Sequence, residues 1–400
     1  MAVRHGYGKI AGADALVFAY DTGDTRNSYR GEPTENLLSN VDDWSSGWTG
    51  NLFSNWINAT VTANAGVAPD GTMTASKLTG GYSRWQRINC STSTTYTFSF
   101  WIKNIDLPIA PRIHIAFGLN GSLVNYNNTT TIDLNTIGEW TKVSKTHTSP
   151  SSGINQMEVG VEWSSNYPNS NSVLVWHAMC EQKAHATPFV NGTRSATQGL
   201  LDLTGNETID LSRTSFDSNA DLDFDGTDDE IQIISSNWAQ PGEDITVEAM
   251  VYREGYSESS GQYSSIINAS NDATGIYSFS FYVSPTSNRL AGWLHSGTHS
   301  NSFDSGYVIQ FNTWYHVAFT LENGDPHTVK TFVNGVEQSS STMGSGVRFA
   351  NITKTTIGAY VDRNQYEWNG KIPIVKIYNR ALTPAEVKNN FNNYKGRFNL

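Results

Sequence analysis

Leu222-Asp223-Phe224-Asp225-Gly226-Thr227-Asp228-Asp229, and far downstream Ile377-Tyr378-Asn379-Arg380-Ala381-Leu382-Thr383, bracket the stretch that decides the fold. Between these landmarks apolar and polar residues alternate in one segment after another: Ile245-Thr246-Val247-Glu248-Ala249-Met250-Val251, Tyr277-Ser278-Phe279-Ser280-Phe281-Tyr282-Val283, Trp314-Tyr315-His316-Val317-Ala318-Phe319-Thr320 and Val329-Lys330-Thr331-Phe332-Val333-Asn334-Gly335. Successive strand residues point to opposite faces, so a period of two rich in β-branched and aromatic residues predicts strands with one buried face. A domain of this kind, with many short strands and turns, reads as a binding module rather than an enzyme.

Working outward, the 400 residues are enough for two domains, each with its own core. Only 16% of the chain is charged, while Gly, Ser, Thr and Asn are abundant, which suits strands and turns and argues against helical bundles. The formal net charge of -11 excludes a phosphate-backbone binder, which needs clustered Lys and Arg. No run approaches the roughly 20 apolar residues that cross a bilayer, and the first residues show no apolar signal core. Nucleic acid and membrane are therefore not expected partners. The Asn-x-Ser/Thr triplets at Asn58, Asn128, Asn191, Asn268 and Asn351 are what an Asn- and Thr-rich chain produces by chance. Cys90 and Cys180 are expected to be reduced, buried thiols.

Leu16-Val17-Phe18-Ala19-Tyr20 reads as a lone strand that must join a sheet made elsewhere. A second strand series fills residues 36–191, including Thr95-Tyr96-Thr97-Phe98-Ser99-Phe100-Trp101-Ile102-Lys103 and Met157-Glu158-Val159-Gly160-Val161-Glu162-Trp163. One helix is predicted, at the C-terminus: Thr383 is its N-cap, Pro384 its first residue and Glu386 the partner in a capping box, with Val387, Phe391 and Tyr394 on one face. No heptads, collagen triplets or short tandem repeats occur, so the chain is not a fibre shaft.

Residues from about 221 to 382 resemble the concanavalin A-like lectin/glucanase superfamily, in particular its laminin G-like jelly rolls. The resemblance is carried by Phe224-Asp225-Gly226-Thr227-Asp228-Asp229, Thr313-Trp314-Tyr315-His316-Val317-Ala318, Phe332-Val333-Asn334-Gly335, Trp368-Asn369-Gly370-Lys371-Ile372 and Ile377-Tyr378-Asn379-Arg380-Ala381-Leu382. Tailed-phage structural proteins with such a domain resemble this chain further. Their first strand and Asp-rich turn lead straight into a segment like Leu201-Asp202-Leu203-Thr204-Gly205-Asn206, whereas here Ala15-Leu16-Val17-Phe18-Ala19-Tyr20-Asp21 is separated from it by the 36–191 series. That series is similar to a carbohydrate-binding-module jelly roll. The resemblances imply an all-β chain of two jelly-roll β-sandwiches, the first inserted after the N-terminal strand of the second. The implied boundaries are 1–35 for the arm and first strand, 36–191 for the insertion and 192–400 for the concanavalin A-like sandwich with its terminal helix.

Glucanases of the superfamily set two carboxylates on one strand as Glu-x-Asp-x-Glu, a motif this chain lacks; Asp244 and Glu248 stand at an even interval, but Asp244 belongs to a strand start and is expected in solvent. No catalytic residue is assigned. Asp225, Asp228 and Asp229 offer oxygen ligands to Ca²⁺, against the alternative that they bond the backbone of their own turn. Sugar binding needs aromatic faces beside amide, acid or guanidinium groups. Tyr82, Arg84, Trp85 and Gln86 supply this set in the inserted domain, with Trp44, Trp48 and Trp56 nearby, and Trp293 and His295 supply it in the second, with His299, Tyr256 and Tyr263 close in sequence. Trp101, Trp140, Trp163, Trp176 and Trp314 fall inside strand patterns and are assigned to the core.

The expected protein is a non-enzymatic virion surface component of a tailed phage, a capsid decoration or part of a tail appendage, with weak glycan adhesion. Its expected partners are other virion proteins, host surface glycans and further copies of itself on a lattice. The alternatives are a lectin-like tail-fibre receptor-binding protein and, more remotely, a polysaccharide hydrolase. The arm, residues 1–13, is expected to dock onto a neighbouring particle protein.

Overall fold

The computed structural model describes residues 4–5, 8–9, 11–48, 58–106, 110–125, 129–133, 138–219, 221–234, 244–258, 263–271, 276–296, 299–324, 326–343, 352–360 and 365–400. The chain divides into two compact units, one formed by residues 1–33, 195–217 and 221–400, the other by 34–194 with 218–220. Both are β-sandwiches, and the second interrupts the first.

Strand β1 (Leu16–Asp21) opens the first unit. The chain then enters the second unit, whose main strands are β2 (Thr60–Gly66), β3 (Ala75–Asn89), β4 (Thr95–Asn104), β5 (Arg112–Leu119), β6 (Thr141–Thr148) and β7 (Gln156–Glu181). The long β7 unites this sandwich. Its first part pairs with β5 and β3, and its last part with β4, which in turn pairs with β6. The core between the layers holds Phe98, Phe100, Phe117, Val159, Val161 and Cys180. Cys180 is buried and Cys90 half-buried, and both thiols are free. The ends of the insertion meet each other: Thr193 pairs with Glu35 and Arg194 with Thr34. Such closure lets a domain be inserted without stretching its host.

After re-entry, the first unit builds two seven-stranded sheets. One runs in the order β8 (Thr208–Arg213), β9 (Glu230–Ile234), β18, β11, β12, β13, β14, where β11 is Ser264–Asn271, β12 Ile276–Val283, β13 Arg289–Ser296, β14 His299–Val308 and β18 Lys354–Ile357. The other places β19 (Asn369–Tyr378) beside β10 (Ile245–Arg253), then β15 (Trp314–Glu322), β16 (His327–Val333) and β17 (Val336–Met343). β1 and the short strand Phe224–Asp225 complete this sheet, each pairing antiparallel with β19, with Ala19 opposite Lys376 and Phe18 opposite Ile377. Their inner faces enclose one apolar core from Phe18 and Tyr20 to Phe279, Phe281, Phe319, Val375 and Ile377.

The helix α1 (Pro384–Tyr394) forms where its capping residues predict it. The Thr383 hydroxyl accepts from the Glu386 backbone N–H, and the Glu386 carboxylate accepts from the Thr383 N–H at 2.9 Å. It buries Val387, Asn390, Phe391 and Tyr394. Under it lie Ala318, Phe332, Tyr378 and Leu382 in one cluster and Met250, Ile374 and Phe398 in another. This explains a departure from expectation: β10 and β19 are buried on both faces, because the sandwich core covers one and α1 the other. The arm is likewise tied to its own domain. The Ala11 N–H donates to Asn390 Oδ1 at 2.9 Å, and Ala13 packs beside Leu16 against Leu382 and Val387.

Candidate functional site

The sheet containing β11, β12 and β13 turns one face inward to the core and the other outward. Cross-strand register fixes one continuous row on the outer face: Asp210, Gln232, Thr356, Asn268, Ser280, Trp293 and Ser302, each directly opposite the next. Ser265, opposite Tyr282, belongs to the next row. Strand alternation accounts for the contrast between faces, since Phe279, Phe281 and Val283 point into the core while Ser280 and Tyr282 point out. The centre of this outer face is a floor of hydroxyls and an amide, with Ser265, Asn268, Ser280 and Thr356 all buried.

Against one end of the floor stands a wall of five aromatic rings. Tyr263 is its hub, with ring centroids 5.1 Å from Tyr282, 5.3 Å from Trp293 and 4.9 Å from Tyr366. Tyr282 and Trp293 are 4.5 Å apart, and Tyr360 joins at 5.2 Å from Tyr366. Tyr282 is buried, and burial, with Tyr263 and Asp304 adding to it, pushes its phenol well above the usual range, so the group remains a neutral hydroxyl. The other four residues are half-buried. Tyr366 holds φ at +62°, the left-handed region that a bulky residue rarely occupies.

Trp293 and Tyr263, singled out from the sequence, thus meet in this wall. The side chains of His295 and His299, and the whole of Trp56, lie outside the described residues. Tyr256 is exposed at 40% and stacks edge-on against Phe311, with the buried Arg253 guanidinium 4.9 Å from its ring. Sequence reasoning missed Tyr282, Tyr360, Tyr366 and Asn268. The signal for Tyr282 was available, as an aromatic on the polar phase of Ser278-Phe279-Ser280-Phe281-Tyr282.

The site expected in the inserted unit is corrected. Arg84, Trp85 and Gln86 are 8%, 1% and 3% exposed, so none presents a surface for a sugar, and Tyr82 is half-buried. Alternation on β3 also divides them. Arg84 and Gln86 reach the preceding backbone: the guanidinium donates to the Trp44 carbonyl, and the Gln86 amide accepts from the Ser39 N–H and donates to its carbonyl. Trp85 points the other way and stacks on His114 at 4.8 Å. Trp44 and Trp48 stack on each other at 4.1 Å inside the core. Of the tryptophans assigned to the core, Trp163 belongs to it. Trp176 is buried in a separate cluster with the half-buried Trp101 and Trp140, and Trp314 is half-buried against Phe398.

Asp225, Asp228 and Asp229 bring their carboxylate oxygens within 4.8 Å of one another, a donor set suited to a hard cation. The same oxygens serve the local turn. Asp229 accepts from the Ser215 and Asp225 N–H groups at 2.6 and 2.8 Å, and Asp225 accepts from the Thr227 N–H at 2.8 Å. Burial pushes the Asp229 carboxyl up to about 6 despite these donors.

Glu248 is buried. It lies beneath α1, its carboxylate accepting from the Tyr378 hydroxyl at 3.1 Å and the Asn390 amide at 2.9 Å. Asp244 accepts from the Asn323 N–H at a strand end.

These features define a β-sandwich with an aromatic and hydroxyl-lined outer sheet face. Residues 225–388 match a laminin G-type family model described as the concanavalin A-like lectin/glucanases superfamily. No curated protein matches the chain. Among solved structures it is similar to the botulinum neurotoxin serotype G binding domain, at 16% identity and TM-score 0.39, over 48% of each chain. It is similar also to a heptameric pentraxin from Limulus polyphemus, at 17% identity and TM-score 0.34, over 42% of this chain and 78% of that one. Domain 4 of an arabinanase from Geobacillus stearothermophilus, solved with arabinotriose, aligns at 19% identity and TM-score 0.33, over 49% and 92% of the two chains. The chain spans about half the length of the neurotoxin binding domains.

Proposed function

We propose that this protein is a non-enzymatic glycan-binding component of a tailed-phage particle surface, displayed on the capsid or in a tail appendage. The glycan reading is carried by one observation: the five-ring wall standing on a hydroxyl and amide floor across the outer sheet face. Pyranose rings stack their C–H faces on aromatics and present hydroxyls to amides and hydroxyls; the half-buried rings supply the first, and the buried floor beside them supplies the second once what covers it is displaced. The particle reading is supported by the resemblance of the β1 and Asp202-Leu203-Thr204 segments to phage structural proteins. Neighbouring virion proteins and host glycans are its partners in this reading, and many copies on one particle would make weak single-site binding sufficient. The non-enzymatic reading is supported by the burial of Glu248 beneath α1, away from the aromatic wall.

The glycan reading is tested on a glycan array with the full chain and its Trp293→Ala variant. Saturable binding lost in the variant is expected, and absence of binding by the parent protein overturns it. Cryo-electron microscopy of particles tests the placement. Density on the capsid lattice means decoration, density only at the tail makes receptor binding primary, and particles lacking the chain overturn the proposal.

The Asp225, Asp228 and Asp229 cluster favours a second element of this reading, Ca²⁺ bound at the turn. Millimolar Ca²⁺ should then raise Tm in the parent protein and not in Asp228→Asn. An unchanged Tm in the parent removes Ca²⁺ from the account.

A further inference from the structure

We infer that the floor of this site selects uncharged glycans and reads one of their hydroxyls through Asn268, an inference that rests on the glycan-binding reading above. Asn268 is fully buried on the outer face of the sheet. Its Nδ2 hydrogen-bonds the Ser280 hydroxyl, while its Oδ1 has no partner. Turning the amide over leaves the other end unmatched instead, so one polar group of Asn268 is unsatisfied in either orientation. Ser265, on the same face and opposite Tyr282, is also buried with an unpartnered hydroxyl. Buried polar groups without partners are rare because each forfeits its water without replacement. Two on one face, beside the aromatic wall, mark a surface completed by something that is not in the chain.

The chemistry of that missing partner follows from the row itself. Gln232, Thr356, Asn268, Ser280, Trp293 and Ser302 carry no ionisable side chain; Asp210 stands at the far edge. Among the described residues the flanking charges are Glu230, which accepts from the Gln232 amide and pairs with Arg213 at 2.8 Å, Lys354, opposite Ser270, and Asp304, which already faces Arg289 at 3.6 Å. A carboxylate or sulfate placed at the centre of the floor, among Thr356, Asn268, Ser280 and Ser265, would lose water against neutral groups, with the Glu230 carboxylate beyond Gln232 repelling it further. An apolar ligand would leave Asn268 and Ser265 as they are. A sugar hydroxyl both donates and accepts, so it satisfies the amide in either orientation. The floor is covered in the free protein, so the ligand displaces part of the rim, and Tyr366, whose φ of +62° is strained where it stands, is the rim residue with backbone strain to release.

The test measures binding of neutral gluco-, galacto- and manno-oligosaccharides, and of oligogalacturonate and alginate fragments, to the full chain and to Asn268→Ala, Asn268→Asp, Ser265→Ala and Trp293→Ala. The parent protein is expected to prefer a neutral series. Asn268→Ala should weaken it at least about tenfold, Asn268→Asp should weaken it further, and Ser265→Ala should weaken it by a smaller factor. Melting temperature separates this role from a structural one: removing an unsatisfied buried group should leave Tm unchanged or higher, whereas a structural asparagine would lower it. Should Asn268→Ala fail to fold, unchanged affinity in the milder Ser265→Ala overturns the proposal. If Trp293→Ala abolishes binding but Asn268→Ala does not weaken it, or if the parent prefers uronates, this inference falls while the glycan reading stands. If the parent binds none of the series, the glycan reading fails with it.

Discussion

Glu248 shows how one residue can look catalytic in sequence and be structural in the fold. Burial pushes its carboxyl up to about 7, against the pull of Lys376, Tyr378 and Asn390. The folded-state value lies above the ordinary 4.5, so this group's contribution to stability is complete below about pH 4.5 and is lost as pH rises through about 7. Lys376, directly opposite it, is pushed down by burial to about 8, so its contribution is present above about pH 10.5 and is lost as pH falls through about 8. Glu248→Gln retains acceptors for Tyr378 and Asn390 and removes the first titration. Its Tm should therefore fall less than that of the parent between pH 4.5 and 7, although Asp229 and Glu207 titrate in the same window in both proteins. Parallel melting curves in that range would refute the assignment. Single residues are also where reading the sequence had least reach. Tyr82, Arg84, Trp85 and Gln86 are close together in the chain, yet β3 sends neighbours to opposite faces and the backbone at Ser39 and Trp44 takes up two of them. The aromatic wall was hidden for the opposite reason: Tyr263, Tyr282, Trp293, Tyr360 and Tyr366 come from separate strands and connections, and only sheet register brings them together.

Elements were far more legible, because capping and alternation are local. Thr383, Pro384 and Glu386 specify the start of α1 within one turn of helix, and the structure forms it there. Arg380 holds the Glu386 carboxylate at 2.6 Å and, with the Thr383 donors, lowers it to about 2. This depressed value means a contribution present above about pH 4.5 and lost as pH falls through about 2. Both side chains are only half-buried, at 32% and 26% exposure, so solvent screens the pair and the ionic part is small. Thr383→Ala should cost about 1 kcal/mol, measured by denaturant unfolding at neutral pH. Loss of much more would mean that Thr383 does something beyond capping. The two-sided burial of β10 and β19 could not be read locally, since nothing in Ile245-Thr246-Val247-Glu248 announces that a distant helix will cover its polar phase. Nor is it written locally that Gly358, at φ +86°, has no room for a side chain: a Cβ there would lie 2.2 Å from the ring of Phe224, a distant core residue.

For the whole molecule, the fold has one sandwich interrupting another, and the chemistry of the join makes the host independent of its guest. Tyr29 bridges to Leu200, and the Arg30 N–H donates to the Gly199 carbonyl, so the host closes the gap with its own backbone bonds. The guest closes its ends separately through Thr34, Glu35, Thr193 and Arg194. β1 pairs with β19 along its length and places Phe18 and Tyr20 in the host core, so it cannot be removed with the insertion. Joining Pro33 to Ser195 should therefore yield a protein that unfolds in a single transition, with Tm within about 5 °C of the host transition in the full chain. That shortened protein should keep glycan binding, because every residue of the aromatic wall and its floor belongs to the host. Truncation through β1 is the contrasting experiment: starting the chain after Asp21 removes an edge strand and two core aromatics, Phe18 and Tyr20, and should abolish folding of the host. A shortened protein that folds without binding would relocate the functional surface to the insertion, and one that fails to fold would show that the two sandwiches are a single cooperative unit.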